Sequence, residues 1–256
     1  MKYVLVIAGS DSSGGAGIQA DLKTVTCLGA HALTAITAVT AQSSQRINSI
    51  HGIPAGFISR QVETILEDLT PDAVKIGMLY SADAVFEVAD LISRHALKPV
   101  VIDPVLKAST GKELLGHEAL SVLREKLFPL ARAVTPNLNE AGLLSGIKVE
   151  TIDHMIKAAE IIGRTGPDVI VTGGHLEGKC VDILYDGKDL DMFEGEKIDT
   201  PNTHGSGCIF SSALATFLAF GERMKTATKM AHDFTRRAIV EGYPCGKGAG
   251  PARPWL

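Results

Sequence analysis

Cys208 stands where a turn of small residues, THGSGC, meets an apolar segment that is typical of a buried helix. Gly205, Ser206 and Gly207 offer consecutive backbone N–H groups at that helix start, where they could bind an anion and stabilise charge developing on it. A helix dipole also lowers the pKa of a thiol in the first turn. Free cysteine is equally a common core residue. Taken alone, Cys208 is therefore either a reactive thiol or a packed one, and packing is the commoner role.

Acidic and amide side chains follow two of the predicted strands. Asp103 ends the apolar run PVVI, where a carboxylate is costly unless it is solvated or paired with a cation; capping of the next loop is the alternative. Asn137 and Glu140 lie three residues apart at a helix start, so both side chains can face one ligand. A carboxylate with an amide suits water-mediated binding of Mg²⁺. The same spacing is that of a capping pair, Asn at the N-cap and Glu at N3, and it does not separate the two interpretations.

A glycine-rich turn, GSDSSGGAG, joins the first predicted strand to the first predicted helix. Such a turn at a helix N-terminus is a common phosphate site, but this one matches neither G-x-G-x-x-G nor the P-loop pattern. Asp21 lies one turn into the helix, where its charge would repel a phosphate. We therefore expect Asp21 to accept a hydrogen bond from a neutral hydroxyl or amine, and a purely structural turn is the alternative.

Elements of regular structure must bring these residues together. Short runs rich in Val and Ile alternate with amphipathic segments, which predicts an α/β fold: a central, mostly parallel sheet with helices on both faces. The predicted strands are Tyr3–Gly9, Ala32–Ala41, Ala73–Met78, Pro99–Val105, Arg132–Asn137 and Asp168–His175. The predicted helices are Ile18–Gly29, Gly56–Leu69, Asp83–Leu97, Glu118–Leu127, Asn139–Gly146, Ile152–Gly166, Cys208–Phe220 and Glu222–Glu241.

The pattern changes near residue 180. The segment Cys180–Ile198 alternates apolar and polar residues around Asp186 and Gly187, which predicts a β-hairpin. The tail from Gly242 predicts no regular element. No repeat or linker interrupts the sequence, so we expect a single domain spanning residues 1–256. Ligands of such sheets bind beyond the carboxyl ends of the strands, which is where the polar motifs fall.

Composition argues against several classes of protein. The 256 residues are 45% hydrophobic and 21% charged, with a net charge of −4 and no basic run, which argues against nucleic-acid or membrane-surface partners. We find no signal-peptide core and no apolar span of ~18 residues. The four cysteines show neither C-x-x-C nor zinc spacing, so we expect a reduced, cytoplasmic protein.

Together the motifs resemble the ribokinase superfamily and, within it, the hydroxymethylpyrimidine/phosphomethylpyrimidine kinases. The resemblance follows the family order along nearly the whole chain. It is carried by IAGSDSSGGAGIQADLKT (Ile7–Thr24), TAVTAQ (Thr37–Gln42), KIGML (Lys75–Leu79), VIDPV (Val101–Val105), TPNLNEA (Thr135–Ala141), GGH (Gly173–His175) and NTHGSGC (Asn202–Cys208).

The resemblance implies a ribokinase-like fold, a homodimer and a kinase that uses ATP and Mg²⁺. The implied substrate is an aminopyrimidine alcohol, 4-amino-5-hydroxymethyl-2-methylpyrimidine, and then its monophosphate, which becomes the pyrophosphate in thiamine biosynthesis. The implied pyrimidine pocket consists of Ala16, Gly17, Asp21, Gln42, Met78 and Val105. The implied nucleotide side consists of Asp103, Asn137, Glu140, Thr172, Gly174 and Thr203, with Asp103 and Glu140 as metal ligands. Gly205, Ser206 and Gly207 would form the anion hole, and Cys208 the base, where sugar kinases of the superfamily generally place an aspartate.

Three places depart from the family pattern: Thr172 and Ser109 stand where lysines are expected, and the tail reads GKGAGP where the family has GHG before a proline. The absence of these two phosphate-side lysines is expected to affect the affinity for ATP and the second phosphorylation. A pyridoxal kinase is the nearest rival function, since its substrate is also a flat nitrogen ring with a hydroxymethyl group. One enzyme with both activities is a further alternative. A thiol hydrolase, with Cys208 as nucleophile and His204 or His175 as base, is a rival from a different class. A third rival is a non-catalytic homologue that senses the pyrimidine.

Overall fold

Nine strands of the described residues form one central sheet. The computed structural model describes residues 1–107, 114–174, 176 and 178–255. The strands are Tyr3–Asp11 (β1), His31–Gln42 (β2), Ile47–Gly52 (β3), Ala73–Ile76 (β4), Val100–Ile102 (β5), Ala133–Val134 (β6), Asp168–Val171 (β7), Lys179–Tyr185 (β8) and Leu190–Glu196 (β9). Their order across the sheet is β3-β2-β1-β4-β5-β6-β7-β8-β9.

The centre of the sheet is parallel, as predicted. Six neighbouring strands, from β2 through β1 and β4 to β7, pair in parallel. β8 and β9 form the predicted hairpin and pair antiparallel to β7 and to each other. Because the carboxyl ends of the six parallel strands meet at one edge, the loops that follow them are neighbours in space.

The sequence pattern does not predict β3, which pairs antiparallel with β2 at the edge of the sheet. Its sequence, INSIHG, contains only two large apolar residues, and none of its residues is fully buried. An edge strand that packs against little apolar surface carries a weak hydrophobic period, so this strand is visible only through its pairing.

Eight α-helices of the described residues cover the sheet. They are Gly17–Cys27 (α1), Ala55–Leu66 (α2), Ala82–Arg94 (α3), His117–Val122 (α4), Leu138–Ser145 (α5), Ile152–Gly163 (α6), Ser206–Ala219 (α7) and Met224–Val240 (α8). The predicted helix Glu118–Leu127 is only partly α-helical, since its last five residues form a wider turn, Leu123–Leu127.

Two apolar clusters separate the helices into layers. Leu5 and Ile7 of β1 belong to the cluster shared with α2–α6, whereas Val4 and Val6 belong to the cluster shared with α1, α7 and α8. This alternation places helices on both faces of the sheet. α7 is apolar nearly all round because it lies between the sheet and α8, and ten of its residues are buried.

The tail is irregular, as predicted, but it is held in place. Two backbone hydrogen bonds join the tail to His204, in the turn before α7. His204 N donates to Gly250 O at 3.0 Å, and Ala252 N donates to His204 O at 3.1 Å. The backbone N–H of Gly248 donates to Ser44 Oγ at 3.1 Å. Across the described ranges, no helix combines the length and apolar character needed to span a membrane. Ser109 and His175 lie outside the described residues.

Candidate active site

Asp11, at the end of β1, organises the glycine-rich loop. Its Oδ1 accepts hydrogen bonds from Ser13 N (2.8 Å) and Ser13 Oγ (2.7 Å). Its Oδ2 accepts from Gly15 N (3.2 Å) and Ala16 N (2.9 Å). Burial acts to raise its pKa, but the hydrogen bonds from His204 and Ser13 hold the pKa of Asp11 below the ordinary value. Two loop N–H groups that could have bound a phosphate are thus already used, and sequence reasoning did not find the residue that uses them.

The first loop and the α7 turn, which the sequence separates by about 190 residues, are in direct contact. His204 Nε2 lies 2.9 Å from Asp11 Oδ2. Gly205 has φ +81°, and a Cβ there would overlap the carbonyl oxygen of Gly15. His204 therefore has a loop carboxylate as its partner, and this pair joins the first loop to the α7 turn. Only glycine at position 205 permits this approach of two backbones.

Asp21 does not line a ligand pocket. Its side chain is fully buried, and its two oxygens lie 2.9 and 3.0 Å from Lys75 Nζ. Ser212 Oγ donates to the same carboxylate at 2.7 Å. The predicted contact between Asp21 and a substrate is wrong in this structure, because a strand lysine and a helix serine occupy the carboxylate. Asp21 instead balances the charge of Lys75 beneath the site.

Lys75 is a residue of the site that sequence reasoning missed. It lies in β4, has no exposed side chain, and places Nζ 3.9 Å from Asp103 Oδ2 as well as against Asp21. Burial acts to lower its pKa, but the neighbouring carboxylates raise the pKa of Lys75 above its ordinary value, so it stays charged. The signal was present in the sequence: a lysine inside the apolar run AVKIG is costly without a buried partner.

Cys208 lies at the junction of the two halves of the site. Its side chain lies close to the carboxylate of Asp103 and to the backbone of Gly17 in the first loop. Burial of the thiol, together with the charges of Asp21 and Asp103, raises its pKa to about 12 in spite of nearby Lys75. The expectation of a lowered thiol pKa is therefore wrong: burial and two carboxylates outweigh the helix dipole.

The α7 turn offers fewer anion donors than expected. The backbone N–H of Ser206 donates to Thr203 O at 3.1 Å, which closes the turn. Of the three predicted donors, Ser206 is therefore engaged within the protein. Gly207 lies at the exposed start of α7, with Cys208 directly after it.

Asn137 and Glu140 form a complete capping box. Asn137 Oδ1 accepts from Glu140 N at 3.0 Å, and Glu140 Oε2 accepts from Asn137 N at 3.0 Å. The capping interpretation of this spacing is confirmed. Glu140 Oε1 also accepts from Leu106 N at 3.4 Å, so the cap ties α5 to the loop that follows Asp103.

Asp103 and Glu140 are two buried carboxylates that influence each other. Burial and the charge of Asp103 raise the pKa of Glu140 to about 8. Burial likewise raises the pKa of Asp103, although Lys75 and Ser211 act against it. Ser211 Oγ donates to Asp103 Oδ2 at 3.0 Å. Neighbouring carboxylates repel each other unless enough positive charge lies nearby. A bound cation would supply that charge.

The remaining substrate-side residues keep part of their surface exposed. Ala16, Gly17, Gln42, Met78 and Val105 are all partly exposed, in contrast to Asp21. Two contacts place Met78 and Gln42 beside β1 and the first loop. A Cβ on Gly9 would overlap the methyl group of Met78, and Ser12 Oγ donates to Gln42 O and accepts from Gln42 N, both at 2.9 Å.

The predicted nucleotide-side residues Thr172 and Gly174 follow β7. Thr172 N donates to Pro136 O at 3.0 Å, so this turn lies beside the start of α5 and its capping residue Asn137. Gly174 is exposed. Thr203 is exposed too, and it lies in the turn before α7, directly before His204.

Known proteins resemble this chain along nearly its whole length. A family model described as phosphomethylpyrimidine kinase matches residues 11–253. The chain is 44% identical over 250 residues to the thiamine biosynthesis bifunctional protein ThiED of Geobacter sulfurreducens; the match covers 97% of this chain and 51% of that longer protein. It is 41% identical over 249 residues to the hydroxymethylpyrimidine/phosphomethylpyrimidine kinase of Streptomyces coelicolor, which covers 97% and 92% of the two chains.

A solved structure extends the comparison to the fold. The crystal structure of an ADP complex of Bacillus subtilis pyridoxal kinase matches with a TM-score of 0.92 and 43% identity, covering 99% of this chain and 97% of that one. The fold, the family match and the sequence identities agree along nearly the whole length. The chain therefore belongs to the phosphomethylpyrimidine kinase family, with the ribokinase-like α/β fold.

Proposed function

We propose that this protein transfers phosphate from ATP to the hydroxymethyl group of 4-amino-5-hydroxymethyl-2-methylpyrimidine, and then to the resulting monophosphate, in thiamine biosynthesis. The observation that carries the proposal is the position of Cys208 between Gly17 of the first loop and Asp103 of the acidic pair. An acceptor alcohol bound on the loop side and a phosphate bound on the acidic side would meet at this thiol.

The acceptor half consists of the partly exposed loop residues. Ala16, Gly17, Met78 and Val105 offer backbone and apolar contacts to a flat ring. Gln42 carries an amide that both donates and accepts hydrogen bonds, which suits the edge of an aminopyrimidine. Because Asp11 occupies the N–H groups of Gly15 and Ala16, these two groups are not open to a phosphate, and this half suits the ring of the acceptor.

The phosphate half fits Mg²⁺. Asp103 and Glu140 would supply carboxylate oxygens, which Mg²⁺ prefers. Burial and the charge of Asp103 raise the pKa of Glu140 to about 8, and a bound cation would offset both effects. Among the described residues no group of three His, Cys, Asp or Glu side chains forms a metal site, so water and phosphate oxygens would complete the shell. When bound, the ion supplies positive charge to the phosphate groups. Asn137, Thr172, Gly174 and Thr203 would contact the nucleotide.

In the transfer itself, Gly205, Gly207 and the start of α7 would stabilise charge on the transferred group through backbone N–H groups and the helix dipole. Phosphoryl transfer depends mainly on positioning and charge stabilisation. A base is then needed only late, to take the alcohol proton, and Cys208 in its thiolate form would accept it. Because the pKa of this thiol is raised to about 12, the thiolate is the minor form at neutral pH.

Pyridoxal is a second candidate acceptor. The pyridoxal kinase of Bacillus subtilis shares both the fold and 43% identity with this chain, and a pyridine ring with a hydroxymethyl group would meet the same loop. The pyrimidine remains the primary proposal, since the family match and the Streptomyces kinase point to it.

A kinase assay with ATP and Mg²⁺ tests the function. Three acceptors are compared in parallel: the free pyrimidine, its monophosphate and pyridoxal. We expect the highest kcat/KM with the two pyrimidines. Faster turnover of pyridoxal would overturn the primary assignment in favour of the second candidate. Pyrimidine binding without turnover of any acceptor would identify a sensor rather than a kinase.

Replacing Glu140 with glutamine should raise the Mg²⁺ concentration for half-maximal rate by ~10-fold or more, as the loss of supporting interactions does at metal sites. Glutamine keeps the capping box, so helix α5 should remain. Because the pKa of Glu140 is raised to about 8, cation binding must displace a proton near neutral pH. The wild-type Mg²⁺ requirement should therefore fall as pH rises towards 8, and the variant should lose this dependence.

The control for Glu140→Gln is Asp153→Asn, which removes an exposed acid from the first turn of α6. Its Mg²⁺ response should match that of the wild type. An unchanged Mg²⁺ response in Glu140→Gln would remove Glu140 from the metal site and leave it a cap.

We place the enzyme in the cytoplasm as a homodimer. All four cysteines are free thiols, which fits a reducing compartment. The dimer follows from the family resemblance, and sedimentation of the purified protein tests it.

A further inference from the structure

A buried histidine–aspartate pair lies outside the residues assigned so far. His232 of α8 is 2% exposed and Asp182 of β8 is 6% exposed. His232 Nδ1 lies 2.7 Å from Asp182 Oδ2. A carboxylate this deeply buried is costly unless its oxygens are satisfied. His232 satisfies one of them.

The other oxygen of Asp182 holds a backbone turn. Asp182 Oδ1 accepts a hydrogen bond from Gly173 N at 2.9 Å. Gly173 lies between Thr172 and Gly174 in the turn that follows β7. A Cβ at Gly173 would overlap the carbonyl oxygen of Val181, so the turn also presses directly on β8. The turn is thus held from the β8 side by a side chain and by close backbone contact.

The tautomer of His232 follows from its surroundings. Nδ1 faces a carboxylate, which accepts but does not donate, so the proton lies on Nδ1. Nε2 is buried without a hydrogen-bond partner among the described residues. A bare lone pair there costs less than an unpaired N–H would. His232 is therefore a donor to Asp182, and the ring of Phe193, 6.3 Å away between centroids, packs beside it.

We propose that Asp182 and His232 are positioning residues for the nucleotide: His232 orients Asp182, and Asp182 fixes the Thr172–Gly174 turn against the start of α5. The turn is held on its other side by the bond from Thr172 N to Pro136 O (3.0 Å). The two attachments set the distance between this turn and Asn137. This inference rests on the proposed function, in which the turn contacts the phosphates of ATP.

Three variants of α8 test the proposal. His232→Leu removes the donor. His232→Asn keeps one, because the Asn amide occupies the position of Nδ1. Thr235→Val is the matched control, since Thr235 is also buried, one turn later, and its Oγ1 also lacks a hydrogen-bond partner among the described residues. ATP affinity is measured directly by titration calorimetry without acceptor, and KM for ATP, KM for the acceptor and kcat are measured separately.

We expect His232→Leu to weaken ATP binding and raise KM for ATP by about tenfold, the cost of a buried hydrogen bond to a charged group. KM for the acceptor and kcat at saturating ATP should change little, because the loss is in nucleotide binding. His232→Asn should restore most of the affinity, and Thr235→Val should match the wild type. Amide hydrogen exchange at Gly173 should be faster in His232→Leu only.

Three results would overturn the proposal. The first is wild-type ATP affinity in folded His232→Leu. The second is equal loss in the Leu and Asn variants, which would indicate packing alone. The third is a loss of affinity for the acceptor alone.

If His232→Leu does not fold, His232→Gln serves instead, because its amide reaches the position of Nε2 and not of Nδ1. Calorimetry needs no turnover, so a wild-type protein that binds ATP but phosphorylates no pyrimidine would contradict the proposed function and leave this inference standing on its own data.

Discussion

Cys208→Ala is expected to lower kcat by ~10²–10⁴-fold, the usual contribution of a positioned proton acceptor, while KM for the pyrimidine changes little. The thiol lies between Gly17 and Asp103, where the acceptor alcohol and the transferred phosphate would meet. Steady-state kinetics with both substrates varied would separate kcat from KM.

The pH dependence of the rate provides a sharper test of Cys208. Burial raises the pKa of this thiol to about 12, so the thiolate fraction increases as pH rises through the neutral and alkaline range. Wild-type kcat should rise with pH over that range, and the residual rate of Cys208→Ala should lose this rise. Cys245→Ala is the control, since Cys245 is an exposed free thiol. An unchanged kcat in Cys208→Ala would mean that Cys208 packs at the helix start and that the backbone N–H groups carry the catalysis.

Lys75→Met is expected to lower the free energy of unfolding by ~3–5 kcal/mol, the cost of removing one partner from a buried ion pair. Methionine keeps a side chain of similar length. Lys75 has no exposed side-chain surface and faces Asp21 at 2.9 Å and Asp103 at 3.9 Å. Without it, two buried carboxylates lose their cation. Urea unfolding followed by circular dichroism measures the change.

Two further variants separate charge from packing at Lys75. Asp21→Leu combined with Lys75→Met removes both partners of the pair and should recover part of the lost stability. Lys179→Met is the surface control: Lys179 pairs with Glu194, but it is 73% exposed, and exposed pairs contribute little. A Lys75→Met protein as stable as the wild type would show that Asp21 and Asp103 are neutral in the folded protein.

The sequence by itself determined the fold class and the edge of the sheet that carries the site. Continuous apolar runs, amphipathic segments and period-two alternation are local patterns. The continuous runs predict the parallel strands, which are buried on both faces, and the alternation predicts the Asp186 hairpin, because burial imposes each pattern directly. The family resemblance likewise rests on contiguous motifs, and the matches along residues 11–253 bear it out. β3 lacks such a pattern because it is a half-exposed edge strand with little apolar surface to bury. Only its pairing with β2 identifies it.

Only the tertiary structure decided which charges meet. The sequence predicts Asp21 at a ligand, whereas its carboxylate pairs with Lys75, 54 residues away. Asp11 reaches His204 across 193 residues, a contact for which neither motif contains a signal. The helix start predicts an acidic thiol at Cys208, but burial and carboxylates from two other elements raise its pKa. Secondary structure follows local periods, whereas the balance of buried charge depends on distances between segments that the chain brings together only on folding.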